Sequence, residues 1–126
     1  MNARVAPKEA LEQKWLFEWA GAMSVLRYPE LALLYHCPNG GSRNAVEARH
    51  LKEQGVKAGI PDIFLPVAKN GWHGLYIELK RKVGGVVSPE QKQMIDKLRM
   101  QKYRVEVCTG IHAAADVIEA YMEGRL

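Results

Sequence analysis

Asp62, Glu78 and Lys80 have the residue types and the spacing for chemistry on a charged substrate. Glu78 and Lys80 flank Leu79 in the run Leu75-Tyr76-Ile77-Glu78-Leu79-Lys80, which reads as a strand. Side chains two apart on a strand point the same way. A carboxylate and an ammonium therefore share one face, while Ile77 and Leu79 point to the other and feed the core. Asp62 follows Gly59-Ile60-Pro61 at the start of the strand-like run 62–67. Pro61 fixes its own φ and biases Ile60 to an extended shape, a rigidity that suits an aimed carboxylate. If the two strands pair as a hairpin, Asp62 approaches Glu78. Two neighbouring carboxylates repel unless a proton or a cation bridges them. Hard oxygen donors with open water positions suit Mg²⁺ or Mn²⁺. Such a cation neutralises charge on phosphate oxygens and acidifies a bound water. Lys80 would orient or help activate that water and stabilise a pentavalent transition state. The chemistry expected from this set is hydrolysis of a phosphodiester.

The spacing Glu-x-Lys is weak by itself. It occurs at Glu12-Gln13-Lys14, Glu78-Leu79-Lys80 and Glu90-Gln91-Lys92. The first and last fall on expected helices, where residues two apart diverge by roughly 200° around the axis. Only the middle one lies on a strand, and only it is preceded by a Pro-Asp opening another strand. The competing reading is a surface ion pair on an exposed strand face, worth little.

The elements that must hold these residues follow from the hydrophobic pattern. Leu11, Trp15, Leu16 and Trp19 predict an amphipathic helix over 8–23, with both tryptophans on its core face. The apolar run 31–37 predicts a first, buried strand, with room for a short helical turn ahead of it. Pro38-Asn39-Gly40-Gly41-Ser42 is a turn, followed by a helix over 44–54 with Gly55 closing it. Pro66 argues that the strand 62–67 lies at an edge or ends there. Lys69-Asn70-Gly71 is a turn, and 74–80 is the next strand, antiparallel to it. Ser88-Pro89-Glu90-Gln91 carries a helix start, with Ser88 as N-cap, Pro89 at the first helical position and Gln91 closing a capping box. That helix runs to 101, a strand to 109 and a last helix over 112–122. The expected fold is α/β in the order α-β-α-β-β-α-β-α, a mixed sheet of about four strands flanked by helices.

The chain has 126 residues, 48% hydrophobic and 25% charged, as expected of one globular domain over 1–126. A net charge of +4 fits a polyanionic partner without demanding one. Cys37 and Cys108 lack metal-ligand spacing and read as buried reduced thiols. The four histidines form no cluster, so no zinc is assigned. No apolar run reaches membrane-spanning length and none opens the chain, which predicts a soluble, cytoplasmic protein.

Gly59-Ile60-Pro61-Asp62 followed by Glu78-Leu79-Lys80 resembles the PD-(D/E)XK nuclease core. The chain more closely resembles the VRR-NUC branch, the virus-type replication-repair nucleases. The likeness extends over Phe17-Glu18-Trp19-Ala20, Pro38-Asn39-Gly40-Gly41-Ser42-Arg43, Leu51-Lys52 through Asp62, His73 through Lys80, and Ser88-Pro89-Glu90-Gln91-Lys92. The resemblance implies that Asp62 and Glu78 hold Mg²⁺ or Mn²⁺, with the backbone carbonyl of Leu79 as a further ligand, and that Lys80 is catalytic. It also implies that Glu9, on the first helix, reaches toward the metal. Glu12 competes for that role, but Glu9 lies eight residues before Phe17, as the family pattern expects. Gln91 matches a family glutamine near the active site. The implied protein is a homodimeric endodeoxyribonuclease acting on branched, Holliday-junction-like DNA, with no small-molecule cofactor and no membrane. A non-catalytic DNA-junction binding module that keeps the fold is the alternative.

Each further residue has a plainer reading beside the functional one. Glu9 suits the first turn of any helix, and Gln91 is accounted for by the capping box unless its side chain also turns to the metal. Asn39 and Arg43 precede a helix N-terminus and either hold a phosphate or form a simple turn. Arg81 and Lys82, directly after the catalytic strand, are expected to track the DNA backbone more than Lys52 or Lys57. Trp72, in a polar turn, is expected to be exposed for a dimer or DNA contact.

Overall fold

The computed structural model describes residues 9–38, 44–81 and 85–126, apart from the side chain of Glu9. The first helix, α1, spans Glu9–Leu26. Its buried line is Glu12, Leu16 and Ala20, one residue per turn. Trp15 is 39% exposed, so it borders the core instead of lying in it. Pro29 then starts a short 3-10 turn, Pro29–Leu33, where the sequence pattern suggested strand. That turn buries Leu31 through local spacing, and only Tyr35–His36 is left to pair as β1. Both of its residues are exposed, which corrects the expectation of a buried first strand.

Helix α2 spans Ala45–Glu53, capped by the Asn44 side chain on the Glu47 N–H, and none of its residues is buried. Strand β2 is Ile63–Leu65 and β3 is Leu75–Lys80. They are antiparallel, with Ile63 opposite Ile77 and Leu65 opposite Leu75. The turn between them closes through reciprocal Lys69 and Trp72 backbone bonds of 3.2 and 2.8 Å. Asn70 and Gly71 between them have φ of 50° and 88°, the left-handed pair that a tight hairpin needs. Pro66 lies just past the end of β2, which is an interior strand. Trp72 is half-buried: its indole N–H donates to the Leu126 carbonyl at 3.3 Å, and Arg104 lies over its ring. It is therefore occupied within the fold, contrary to the expectation of an exposed contact residue.

Helix α3, Pro89–Met100, starts with the capping box foreseen from Ser88 and Gln91. Strand β4, Arg104–Thr109, then runs parallel to β3, and α4 follows as Ile111–Met122. The sheet order is β1-β2-β3-β4, mixed, with helices on both faces. Ile63, Leu65, Leu75, Ile77, Leu79 and Cys108 face α1 and α4, where Leu16, Ala114, Ile118 and Tyr121 complete the core. Burial at this density is the main stabilising term. Ile95 of α3 and Val105 of β4 are buried apart from that cluster and mark the opposite face. Cys108 is buried and Cys37 partly so, and both are free thiols. Among the described residues no helix is long and apolar enough to cross a membrane.

Candidate active site

The β2–β3 ladder stops at Ile63 opposite Ile77. One step further along the same register sets Asp62 across from Glu78, on the same face. There Asp62 replaces the backbone ladder with its side chain: Oδ2 accepts the Leu79 N–H at 2.9 Å. The Asp62 carbonyl is fixed from the other side by the Cys37 N–H at 2.6 Å and by the His36 ring at 2.9 Å. A carbonyl only accepts, so the ring donates from Nδ1. The carboxylate is thus aimed by β3 and its backbone by β1.

Glu78 and Lys80 share a face, as their spacing requires, and they are 2% and 8% exposed. That burial excludes a solvated surface ion pair. Lys80 Nζ lies 3.0 Å from Glu78 Oε2. The Gln91 side chain bridges the two: Nε2 donates to Glu78 Oε2 at 2.8 Å, and Oε1 accepts from Lys80 Nζ at 3.0 Å. The same Oε1 accepts the Ser88 N–H at 2.9 Å, so one amide closes the cap and joins Glu78 to Lys80 at once. The close approach of α3 depends on Gly59. Its φ is +83°, and a Cβ there would lie 2.6 Å from the Glu90 carbonyl oxygen.

Burial pushes the Glu78 carboxyl up to about 7, the Asp62 charge adds to this, and Lys80 opposes it. Glu78 Oε1 is buried and has no hydrogen-bond partner. The Leu79 carbonyl points to the same side as its N–H, toward Asp62, because the neighbouring Lys80 carbonyl accepts from Gly110 on the β4 side. Two carboxylates, one with an orphaned buried oxygen, and a carbonyl thus converge. That donor set fits a hard divalent cation. Among the described residues no three His, Cys, Asp or Glu side chains form such a group.

Among the remaining candidates, Arg81 is exposed directly after β3. Asn39, Arg43, Lys82 and the side chain of Glu9 lie outside the described residues. Glu12 is 2% exposed and accepts the Ile111 N–H at 2.5 Å, capping α4 from α1. The bracing roles of His36 and Cys37 were not visible beforehand, because they depend on β1 lying beside β2. Gly59 carried a signal as the first residue of the motif ending at Asp62, without its contact with α3 being legible.

The domain model of the VRR-NUC family matches residues 6–112. A solved structure described as a VRR-NUC domain protein is 30% identical, with a TM-score of 0.80 over 94% of this chain and 90% of that one. A comparison with curated proteins finds no match.

Proposed function

Since the chain belongs to the VRR-NUC family of nucleases, we propose that it is an Mg²⁺- or Mn²⁺-dependent endodeoxyribonuclease that cuts branched, Holliday-junction-like DNA as a homodimer of single-domain chains. The observation that carries the metal-dependent reading is the orphaned, buried Oε1 of Glu78 beside Asp62 and the Leu79 carbonyl. Asp62, Glu78 and the Leu79 carbonyl would hold the cation, with Glu9 as a further acidic ligand. When bound, the cation supplies charge neutralisation at the phosphate and a more acidic water.

The side chains do the rest. Lys80 has three N–H donors. Two are directed to Gln91 Oε1 and Glu78 Oε2, which leaves the third for the attacking water or a phosphate oxygen. Gln91 fixes the ammonium by accepting from it and fixes Glu78 by donating to it, so the ammonium and the carboxylate are preorganised before substrate arrives. Arg81, Lys82, Arg43 and Asn39 are proposed contacts to the DNA backbone.

The test is incubation of the purified protein with labelled four-way junction, flap, hairpin and linear duplex, with Mn²⁺, with Mg²⁺ and with EDTA. Metal-dependent products, strongest on the branched substrates, are expected. Asp62→Ala and Lys80→Ala should abolish them while keeping the fold by circular dichroism. Cutting at the wild-type rate by either variant would overturn the assignment. Binding to junctions without any products would favour the non-catalytic module. Sedimentation velocity checks the homodimer.

A further inference from the structure

The sheet face that carries the carboxylates continues as an aromatic surface. Two residues along β3 from Glu78 lies Tyr76, and two along β2 from Asp62 lies Phe64, each about 7 Å away along its strand. Phe64 and Tyr76 stack at 4.2 Å between ring centroids, and Tyr35 of β1 meets Phe64 edge-on at 5.7 Å. Tyr35 is 49% exposed. Tyr35 and Tyr76 line a cavity of about 410 Å³ together with Gln54, the C-cap of α2, and Lys57 from the loop after it. His36 and Cys37 also line it, and these are the residues that bond the Asp62 carbonyl. The cavity therefore adjoins the catalytic centre directly. Among the described residues none of its lining is acidic.

We infer that this cavity binds an unstacked nucleobase of the DNA strand that carries the scissile phosphate, an inference that rests on the nuclease reading. The chemistry of the lining selects the occupant. The exposed ring of Tyr35 can stack on any base. The Gln54 amide offers a donor and an acceptor to a base edge, and α2 holds its backbone N–H on the His50 and Lys52 carbonyls. Lys57 supplies positive charge for the adjoining phosphate. A second copy of the chain would call for a flat, self-complementary patch. A lining that combines tyrosines, an amide and an ammonium fits a planar heteroaromatic ring on a phosphate. The consequence concerns the substrate. A nucleotide already unpaired, as at a branch point, enters at less cost than one extruded from a duplex.

The test uses two substrates of one sequence, one fully paired and one with a single unpaired 2-aminopurine nucleotide beside the cleaved bond. With Ca²⁺ present and no cleavage, wild type and Tyr35→Phe should quench the 2-aminopurine fluorescence on binding, and Tyr35→Ala should not. With Mn²⁺, the ratio of kcat/KM for unpaired over paired substrate should fall about tenfold in Tyr35→Ala, survive in Tyr35→Phe and also fall in Gln54→Ala. Unchanged quenching and an unchanged ratio in Tyr35→Ala would overturn the inference. So would loss of a self-associated form in Tyr35→Ala by sedimentation with the ratio intact, which would give the face to a second copy. Absence of all cleavage by wild type would count against the nuclease reading alone, since the quenching reports on the slot without it.

Discussion

Glu78 and Gln91 are joined by a 2.8 Å hydrogen bond from the glutamine Nε2 to the glutamate Oε2, which ties the first turn of α3 to β3. The other end of the same amide accepts from both Lys80 and the Ser88 backbone. The helix start and the proposed active centre therefore share one side chain, and a change at Gln91 is felt in both.

Gln91→Ala should lower Mn²⁺-dependent cleavage by about 10- to 100-fold, the usual cost of losing a group that orients a metal-site residue. Its stability cost is that of a weakened cap, about 1 kcal/mol. Gln91→Glu keeps an acceptor for Ser88 and Lys80 but sets a third acid against Glu78, so it should retain the cap and still lose activity. Cleavage rates beside urea denaturation separate the two effects.

The pH dependence of the metal-free protein should carry the signature of Glu78. Its carboxyl is raised from 4.5 to about 7 by burial first and by Asp62 second. Between those values the folded chain keeps a proton that the unfolded chain has released, so stability falls as pH rises through that window. Thermal unfolding in EDTA should show this decline in wild type and a flatter curve in Glu78→Gln. Asp62→Asn should move the decline to lower pH. Added Mg²⁺ should stabilise more as pH rises, because it binds the ionised form. Identical pH profiles for wild type and Glu78→Gln would refute the prediction.

Gly59→Ala should damage activity more than its size suggests. The substitution forces a side chain into a left-handed conformation and places its Cβ 2.6 Å from the Glu90 carbonyl. Helix α3 must shift, and Gln91 with it. We expect a cleavage loss of at least tenfold with the metal affinity of Asp62 and Glu78 largely kept, measured by titrating Mn²⁺. An unaltered rate would show that α3 is not held by this contact.

Glu12→Ala should cost about 2 kcal/mol, at the upper end for a lost cap, because it also opens space in a buried position. Helix α4 has Gly110 at its N-cap with no side-chain bond of its own, and the buried Glu12 carboxylate takes the Ile111 N–H instead. Chemical denaturation checks this. A change below a few tenths of a kcal/mol would mean that water replaces the carboxylate freely.

Much of this protein is determined by its sequence because the determinants are local. The alternation along β3 places Glu78 and Lys80 together, the Asn70-Gly71 turn makes the hairpin, and Ser88 to Gln91 writes the start of α3. The ordered motifs around Asp62, Glu78 and Lys80 identified the family that the fold and the domain match then showed. Tertiary structure decided what depends on distant segments meeting. Register brings Asp62 across from Glu78, and packing turns an apparent surface pair into a buried one. The 3-10 turn after Pro29 shortens the first strand to an exposed edge, and Trp72 is drawn in against Leu126. Gln91 shows the boundary most clearly. Its capping role is set by a spacing of three residues, whereas its bonds to Glu78 and Lys80 exist only because α3 folds back over β3.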